Sequence, residues 1–379
     1  MPAPASDAPA ASRFKCGLRR NGSMTGMLLK VLPRKLRLRL REKQLVRDAA
    51  ARNEGFSCRA LAGESDYNIC INSDLTVSCN CQDFDGSGQI GSLKSQSLAE
   101  IFAGPIANGF RKTLAARSFP TPTCASCADL RIVPVEEATR GLTSYRVPYK
   151  GIMVENTVLC NLRCRMCNRK ELLQLRSQQV TMPLADVEKV ALLLKEHQVQ
   201  SLLFFNLGEP FLPPDVDKQL QVIRKHNPDI RIVTSSNGQL LDESRKIEAA
   251  LMTDYIYVSL DGATQDAVSR YQVGADFDRG YRNIRNLVSE RDSLGSKTPI
   301  VEWKYVVFRW NDRPDQIRKA IELAREAKVD VIGFYRGDGP LGDRSLRWYY
   351  HSIFKTLGDR VPGGIVVNLN NIPQHLLAP

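Results

Sequence analysis

Cys160, Cys164 and Cys167 fall within the stretch VLCNLRCRMCNR, separated by three residues and then two. Three thiolates from one loop suit a cubic [4Fe–4S] cluster, in which each iron takes one protein ligand. Three ligands leave the fourth iron open to a small molecule with nitrogen and oxygen donors. Zinc is the competing reading. A structural zinc asks for four ligands, and no partner Cys or His follows nearby. The four histidines, His197, His226, His351 and His375, show no ligand pairing and read as surface residues.

The loop needs a scaffold, and residues 151–336 offer one. Six apolar runs, GIMVENTV, VQSLLFFNL, DIRIVTSS, DYIYVSL, PIVEWKYVVF and DVIGFYRG, alternate with helical patterns. The helices are PLADVEKVALLLKEH with Pro183 near its start, PPDVDKQLQVIRKH, DESRKIEAALMT opened by Asp242, DFDRGYRNIRNLVSERDSL and RPDQIRKAIELAREAK. Strands separated by helices imply a parallel sheet with right-handed crossovers. A full eight-unit barrel takes about 250 residues, so six units in this span predict a partial (β/α)6 TIM-type barrel. A doubly wound sheet is the alternative. In both, working residues belong in the loops after the strands.

Unusual polar sequence gathers in those loops. The cysteine triad follows strand one, Gly208-Glu209-Pro210 follows strand two, and Thr234 to Gly238 follows strand three. Ser259 to Gly262 (SLDG) follows strand four, RWND strand five and YRGDG strand six, the last bringing Tyr335, Arg336 and Asp338 to the same rim.

CX3CX2C after the first strand, GEP after the second and the six-unit pattern together resemble the radical SAM superfamily over about half the chain. The resemblance implies a [4Fe–4S] cluster on Cys160, Cys164 and Cys167, with the amino and carboxylate groups of S-adenosylmethionine on the open iron. It implies reductive cleavage to a 5′-deoxyadenosyl radical that takes hydrogen from an unactivated C–H bond. By the same resemblance Gly208, Glu209 and Pro210 would hold the methionine ammonium, mainly through backbone carbonyls. Ser236, Asn237 and Ser259 would approach the carboxylate or ribose, and Met166 would flank adenine. Leu207 stands where many members carry a first glycine. Asp261 would reach ribose or substrate and is the catalytic candidate. Its plain alternative is a turn-former ahead of Gly262.

Ten cysteines are many for a chain of 379 residues. An even count invites disulfides. That reading suits small exported domains, whereas the opening MPAPASDAPAASRFKCGLRR reads as an Ala/Pro/Ser tail rather than a secretory leader. No apolar run approaches the roughly 18 residues of a membrane span. The expectation is a cytoplasmic protein whose thiols ligate metal. Residues 48–150 hold Cys58, Cys70, Cys79, Cys81, Cys124 and Cys127. They resemble a SPASM or twitch auxiliary-cluster segment, with a first Cys, a D-x-x-V-x-C hairpin, an IG strand, a SLAEIF helix and a closing C-x2-C. That module usually follows the barrel, and Asp74 stands where a turn glycine is common. Outside the triad only seven cysteines remain, counting Cys16, so two more fully thiolate-bound clusters are excluded. The economical reading is one auxiliary [4Fe–4S] cluster on Cys58, Cys79 or Cys81, Cys124 and Cys127, with zinc as the alternative.

The division expected is a disordered, basic N-terminal arm over 1–47, a small Cys-rich α+β auxiliary domain over 48–150, the barrel over 151–336 and an extension over 337–379. The net charge of +12 sits almost wholly in the arm, since the first 47 residues carry +10. Residues 28–47 could meet an acidic partner, a membrane surface or RNA, or form a solvated helix packed on the body. The combined reading is an oxidoreductase- or epimerase-type enzyme acting on a carbohydrate-type or small metabolite substrate. Its auxiliary cluster would relay an electron, with a flavodoxin or ferredoxin as external donor. A peptide- or RNA-modifying enzyme is the alternative, and a non-enzymatic Fe–S or zinc binding protein is the alternative of another class.

Overall fold

The computed structural model describes residues 34–337, 339–349 and 366–369. Cys16, Asp338, His351 and His375 lie outside them. Helix α1 (Arg34–Ala51) runs across the expected boundary at residue 47, so part of the basic arm is ordered helix. Strands β1 (Glu54–Cys58), β2 (Cys70–Ile71), β3 (Thr76–Ser78) and β4 (Gln89–Ser92) follow. Helix α2 (Leu98–Ala103) opens with a capping box between Ser97 and Glu100 and stops at Gly104. Pro105, which has no N–H to leave unpaired, starts α3 (Pro105–Ala115). A 3-10 turn (Pro122–Ser126), β5 (Leu130–Pro134) and α4 (Val135–Arg140) complete this part, and β5 pairs antiparallel with β1.

The repeating part follows the expected alternation. Its strands are β6 (Ile152–Val154), β7 (Ser201–Phe204), β8 (Arg231–Ser236), β9 (Tyr255–Ser259), β10 (Ile300–Val307) and β11 (Val331–Arg336). Between them run α5 (Arg169–Leu175), α6 (Leu184–Glu196), α7 (Val216–His226), α8 (Ser244–Leu251), α9 (Gln265–Ser269), α10 (Phe277–Ser293) and α11 (Pro314–Glu326). The short α5 and α9 carry too few turns for periodicity to reveal. Asp242 does not open α8, contrary to expectation. Its carboxylate instead takes both Nε and an Nη of Arg279, 2.9 and 2.6 Å away, while Asp276 caps α10 by accepting from the Arg279 amide.

All six strands pair in parallel and in sequence order. No order reversal interrupts them, which excludes the doubly wound alternative and its switch point. A short helix α12 (Leu346–Tyr349) precedes β12 (Val366–Leu369), which adds parallel to β11. At the other edge β2 adds parallel to β6. β3 and β4 then continue the sheet antiparallel, making ten strands. The fold is therefore α/β with a mostly parallel sheet. β2 is only two residues long, too short to read as a strand from sequence, yet through it β3 and β4 continue the main sheet, while β1 and β5 pair in a sheet of their own.

Alternation fixes the two faces of the sheet. Ile152, Val154, Leu202, Phe204, Ile232, Ile256, Val258, Trp303 and Phe334 pack with the helices in the main core. Cys70, Met153, Leu203, Val233, Tyr255 and Tyr257 form a smaller cluster on the other, inner face, with Cys81 among them. Among the described residues no helix is long and apolar enough to cross a membrane.

Candidate active site

The cysteine loop leaves β6 and is pinned along its length. The Val158 amide donates to the Val180 carbonyl at 2.9 Å, and Thr157 bonds Thr181 at 2.8 Å. The amides of Arg163 and Arg165 both donate at 3.0 Å to the carbonyls of Val273 and Tyr271. The Cys167 amide closes a turn onto the Cys164 carbonyl at 3.2 Å. A loop of this length held at both ends loses little further entropy when it takes a ligand. All three thiols are half-buried.

Two donors aim at Cys160. The Leu162 amide is 3.4 Å from its sulfur and the Asn237 side-chain amide 3.7 Å. Burial raises the Cys160 pKa, against the Leu162 amide and the Arg169 charge, which lower it. Burial raises Cys164 further, with Asp261, Cys167 and Cys160 adding repulsion. Without a cation the Cys160 and Cys164 thiols are therefore protonated, and ligation must release their protons. Among the described residues no three His, Cys, Asp or Glu side chains are gathered as a ready-made single-ion site.

The GEP loop lies directly on the cysteine loop. A β-carbon at Gly208 would stand 1.9 Å from the Thr157 carbonyl oxygen, so only glycine fits there. The next amide, of Glu209, donates to the Leu159 carbonyl at 2.8 Å. The Glu209 and Pro210 carbonyls each accept one hydrogen bond, from Leu212 and from Asn156, which leaves each a second lone pair. The Glu209 side chain turns inward and is 2% exposed. Its Oε2 accepts from the Asn237 amide at 2.8 Å, and its Oε1 from the Ser236 hydroxyl at 2.9 Å and the Phe211 amide at 3.2 Å. Asn237 in turn donates to Asn161 Oδ1 at 2.8 Å. One carboxylate thus ties the second strand loop to the third, and Asn237 ties the third to the first.

Burial holds Glu209 at a pKa of about 7, the three hydrogen bonds opposing it. The ordinary value is near 4.3. Between these two values the native state keeps a proton the unfolded chain has lost, so stability falls as pH rises through that window, by up to about 1.4 kcal/mol per pH unit for a single group. In urea titrations of the metal-free chain from pH 5 to 8, wild type is expected to lose ground to Glu209→Gln as pH rises. A difference between the two that is constant with pH would remove this account.

Ser236 is buried on the helix side of β8, spent on Glu209 and on the Gly238 amide. Ser235, which the motif reading passed over, has the inner-face position and is half-exposed. Ser259 is also half-exposed and shares the face of Tyr255 and Tyr257. Asp261 is 2% exposed, and its Oδ1 accepts from the Val306 amide at 2.7 Å. Burial raises its pKa to about 7. It stands near Cys164 and ties the end of β9 to β10. Met166 packs on the loop after β11, where a β-carbon on Gly339 would meet its sulfur at 2.3 Å.

The other cysteines divide in two. Cys58, Cys79, Cys124 and Cys127 line one apolar pocket with Leu61, Phe110, Leu114 and Leu130. Burial raises the pKa of Cys58, Cys79 and Cys124. Thr121 and Asn68 place polar atoms 3.4 Å from the Cys124 sulfur and 3.9 Å from that of Cys127. Cys81 joins Cys70 on the inner face instead. Of the two hairpin cysteines, Cys79 lines that pocket and Cys81 does not. None of the nine described cysteines is in a disulfide.

Sequence reasoning also missed a polar cluster on the inner face. Glu302 is fully buried and accepts hydrogen bonds from the hydroxyls of Tyr255 and Tyr335, the second at 2.6 Å. Two charged residues spaced by two, Glu302 and Lys304, inside an otherwise apolar strand were the available signal.

The radical SAM superfamily model matches residues 154–301, under half of the chain. A tungsten-containing aldehyde ferredoxin oxidoreductase cofactor-modifying protein of Pyrococcus furiosus is 28% identical over 48% of this chain and 50% of its own. A GTP 3′,8-cyclase of Helicobacter pylori is 27% identical over 48% of this chain and 53% of its own. The match therefore spans about half the length of these curated relatives. Streptococcus suis SuiB bound to S-adenosylmethionine superposes with a TM-score of 0.46 at 15% identity, covering 84% of this chain and 72% of that one. Those values leave the assignment resting on the sequence match. The cysteine loop, the GEP loop and the strand ends that hold them all fall in the matched span, and residues 154–301 form a radical SAM superfamily domain, the family whose cofactors are a [4Fe–4S] cluster and S-adenosylmethionine.

Proposed function

We propose that the chain is a radical SAM enzyme that removes a hydrogen atom from an unactivated C–H bond of a small metabolite, with a second thiolate-bound cluster accepting or passing an electron. The observation that carries this reading is the pinned loop of Cys160, Cys164 and Cys167 on the same rim as the Glu209–Asn237 brace. Its donor set fits the cofactor: three thiols on one loop, with N–H groups aimed at a sulfur and a cation near it. When bound, the cluster and S-adenosylmethionine would supply an electron, cleavage of the sulfonium and a 5′-deoxyadenosyl radical.

The residues of the chain have three tasks. Cys160, Cys164 and Cys167 give up their protons and ligate. The Leu162 and Asn237 N–H groups stabilise the negative charge that then develops on Cys160 sulfur. The GEP loop, locked by Gly208 against Thr157, offers carbonyl lone pairs to an ammonium. Cys58, Cys79, Cys124 and Cys127 would fill every ligand position of an auxiliary [4Fe–4S] cluster, leaving none for substrate and so favouring electron relay. Oxidation or epimerisation of a carbohydrate-type substrate remains the preferred chemistry. The relatives' names, a cofactor-modifying protein and a GTP cyclase, favour small molecules over peptides or RNA.

The test is anaerobic reconstitution with iron and sulfide, then incubation with S-adenosylmethionine and dithionite. Release of 5′-deoxyadenosine and methionine is expected. A fully loaded protein that releases neither is a binding protein, not this enzyme.

A further inference from the structure

Lys304 occupies an unusual position in β10. Its neighbours Trp303 and Tyr305 pack into the helix-side core, so alternation puts Lys304 on the inner face with Glu302. It pairs in register with Ser259 on one side and with Gly333 on the other. A β-carbon on Gly333 would meet Glu302 Oε1 at 2.0 Å and the Tyr335 ring at 2.7 Å. Glycine there lets Glu302 cross to the Tyr335 hydroxyl. The Lys304 ammonium sits 5.4 Å from the centre of the Tyr335 ring, within range of a cation–π contact.

The nearby carboxylates are already engaged. Glu302 takes the hydroxyls of Tyr255 and Tyr335, and Asp261 takes the Val306 amide. Neither comes within ion-pairing distance of Lys304, which makes no salt bridge among the described residues. Lys304 is half-buried, as are Ser235, Ser259 and Tyr335 around it. Glu302 and Asp261 both feel the Lys304 charge from beyond ion-pairing distance, so its three N–H donors remain available to a negative group that reaches them. The position is at the C-terminal half of a parallel strand, where such sheets bind their ligands.

We infer that Lys304 anchors an anionic oxygen group, a carboxylate or a phosphate, of the substrate. This deepens the proposed function by naming a substrate class: an acid or phosphate ester held by its charge, with the reacting C–H bond toward the cysteine loop. The inference rests on that reading only for the word substrate. Anion binding at Lys304 stands by itself.

The experiment uses the full, anaerobically reconstituted chain, with sodium phosphate and sodium acetate as probes against sodium chloride at matched ionic strength. Thermal unfolding reads binding, and release of 5′-deoxyadenosine without substrate reads the cofactor site. Phosphate or acetate at millimolar concentration is expected to raise the wild-type midpoint, and the more effective ion identifies the group recognised. Lys304→Met is expected to need at least tenfold more of that ion, Lys304→Arg to respond like wild type, and both to release 5′-deoxyadenosine at the wild-type rate. Lys304→Gln takes the place of methionine if that variant does not fold. Equal responses in wild type and Lys304→Met, or no response in wild type, overturn the inference. A tenfold loss of 5′-deoxyadenosine in Lys304→Met also overturns it, because Lys304 would then serve S-adenosylmethionine. If wild type releases none at all, the proposed function falls while the anion comparison still decides the role of Lys304.

Discussion

Replacing Cys164 by alanine is expected to abolish 5′-deoxyadenosine release, down to the level of a protein-free control, and to remove about four irons per chain. Cys164 is the middle thiol of the triad, and its amide-to-carbonyl turn with Cys167 sets the spacing of the loop. Its sulfur feels both other thiols. Asp261, the carboxylate whose charge Cys164 feels, is buried and committed to Val306. No rescue from within the loop is therefore expected. The side chain is only half-buried, so truncation should leave the fold intact, and far-ultraviolet circular dichroism should match wild type. Iron analysis, sulfide analysis and chromatography of the reaction mixture check the prediction together. A Cys164→Ala protein that keeps its iron at that site and its turnover would show that the triad is not the ligand set.

Cys79→Ala and Cys81→Ala are expected to behave oppositely, although only one residue separates the two positions. Cys79 lines the pocket shared with Cys58, Cys124 and Cys127. Its replacement should lower iron content by about four per chain while sparing release of 5′-deoxyadenosine uncoupled from product. Cys127→Ala should do the same. Cys81 faces the inner cluster with Cys70 and Met153, and Cys81→Ala should keep the full iron load. Iron and sulfide counts on the purified variants decide it. Loss of iron from Cys81→Ala, with Cys79→Ala fully loaded, would reverse the assignment. Loss of one zinc rather than four irons from Cys79→Ala would replace the auxiliary cluster by a structural metal.

The sequence was most legible where chemistry is local. A CX3CX2C loop is visible because its three thiols lie within eight residues of chain, and GEP because Gly208 must lack a side chain to lie on Thr157. Helix-strand alternation between 151 and 336 was legible because each run repeats a period. What stayed hidden depends on contacts between distant segments. The motif reading gave Glu209 a role mainly through its backbone carbonyl and none for its side chain, which braces Ser236 and Asn237. Cys79 and Cys81, two apart, would share a face if β3 ran on. The register shifts between Val77 and Ser78 and the strand ends at Ser78, so the two thiols part company. Ser236 and Ser235 were separable by strict alternation, and the motif reading chose the one facing the helices. Lys304 and Glu302 were lost in a strand read only for its apolar character.

The ten-stranded sheet bears on how the chain can be cut. β2 covers the side of β6 that faces away from β7. β6 is three residues long, and its far end leads into the cysteine loop. A protein trimmed to begin near residue 150 would present that strand's N–H and C=O groups to water along one whole side, an invitation to self-association. The Cys-rich segment is therefore the selvedge of the sheet, the woven border that stops the first strand from fraying. Dissection of this chain into halves should begin elsewhere than between residues 150 and 151.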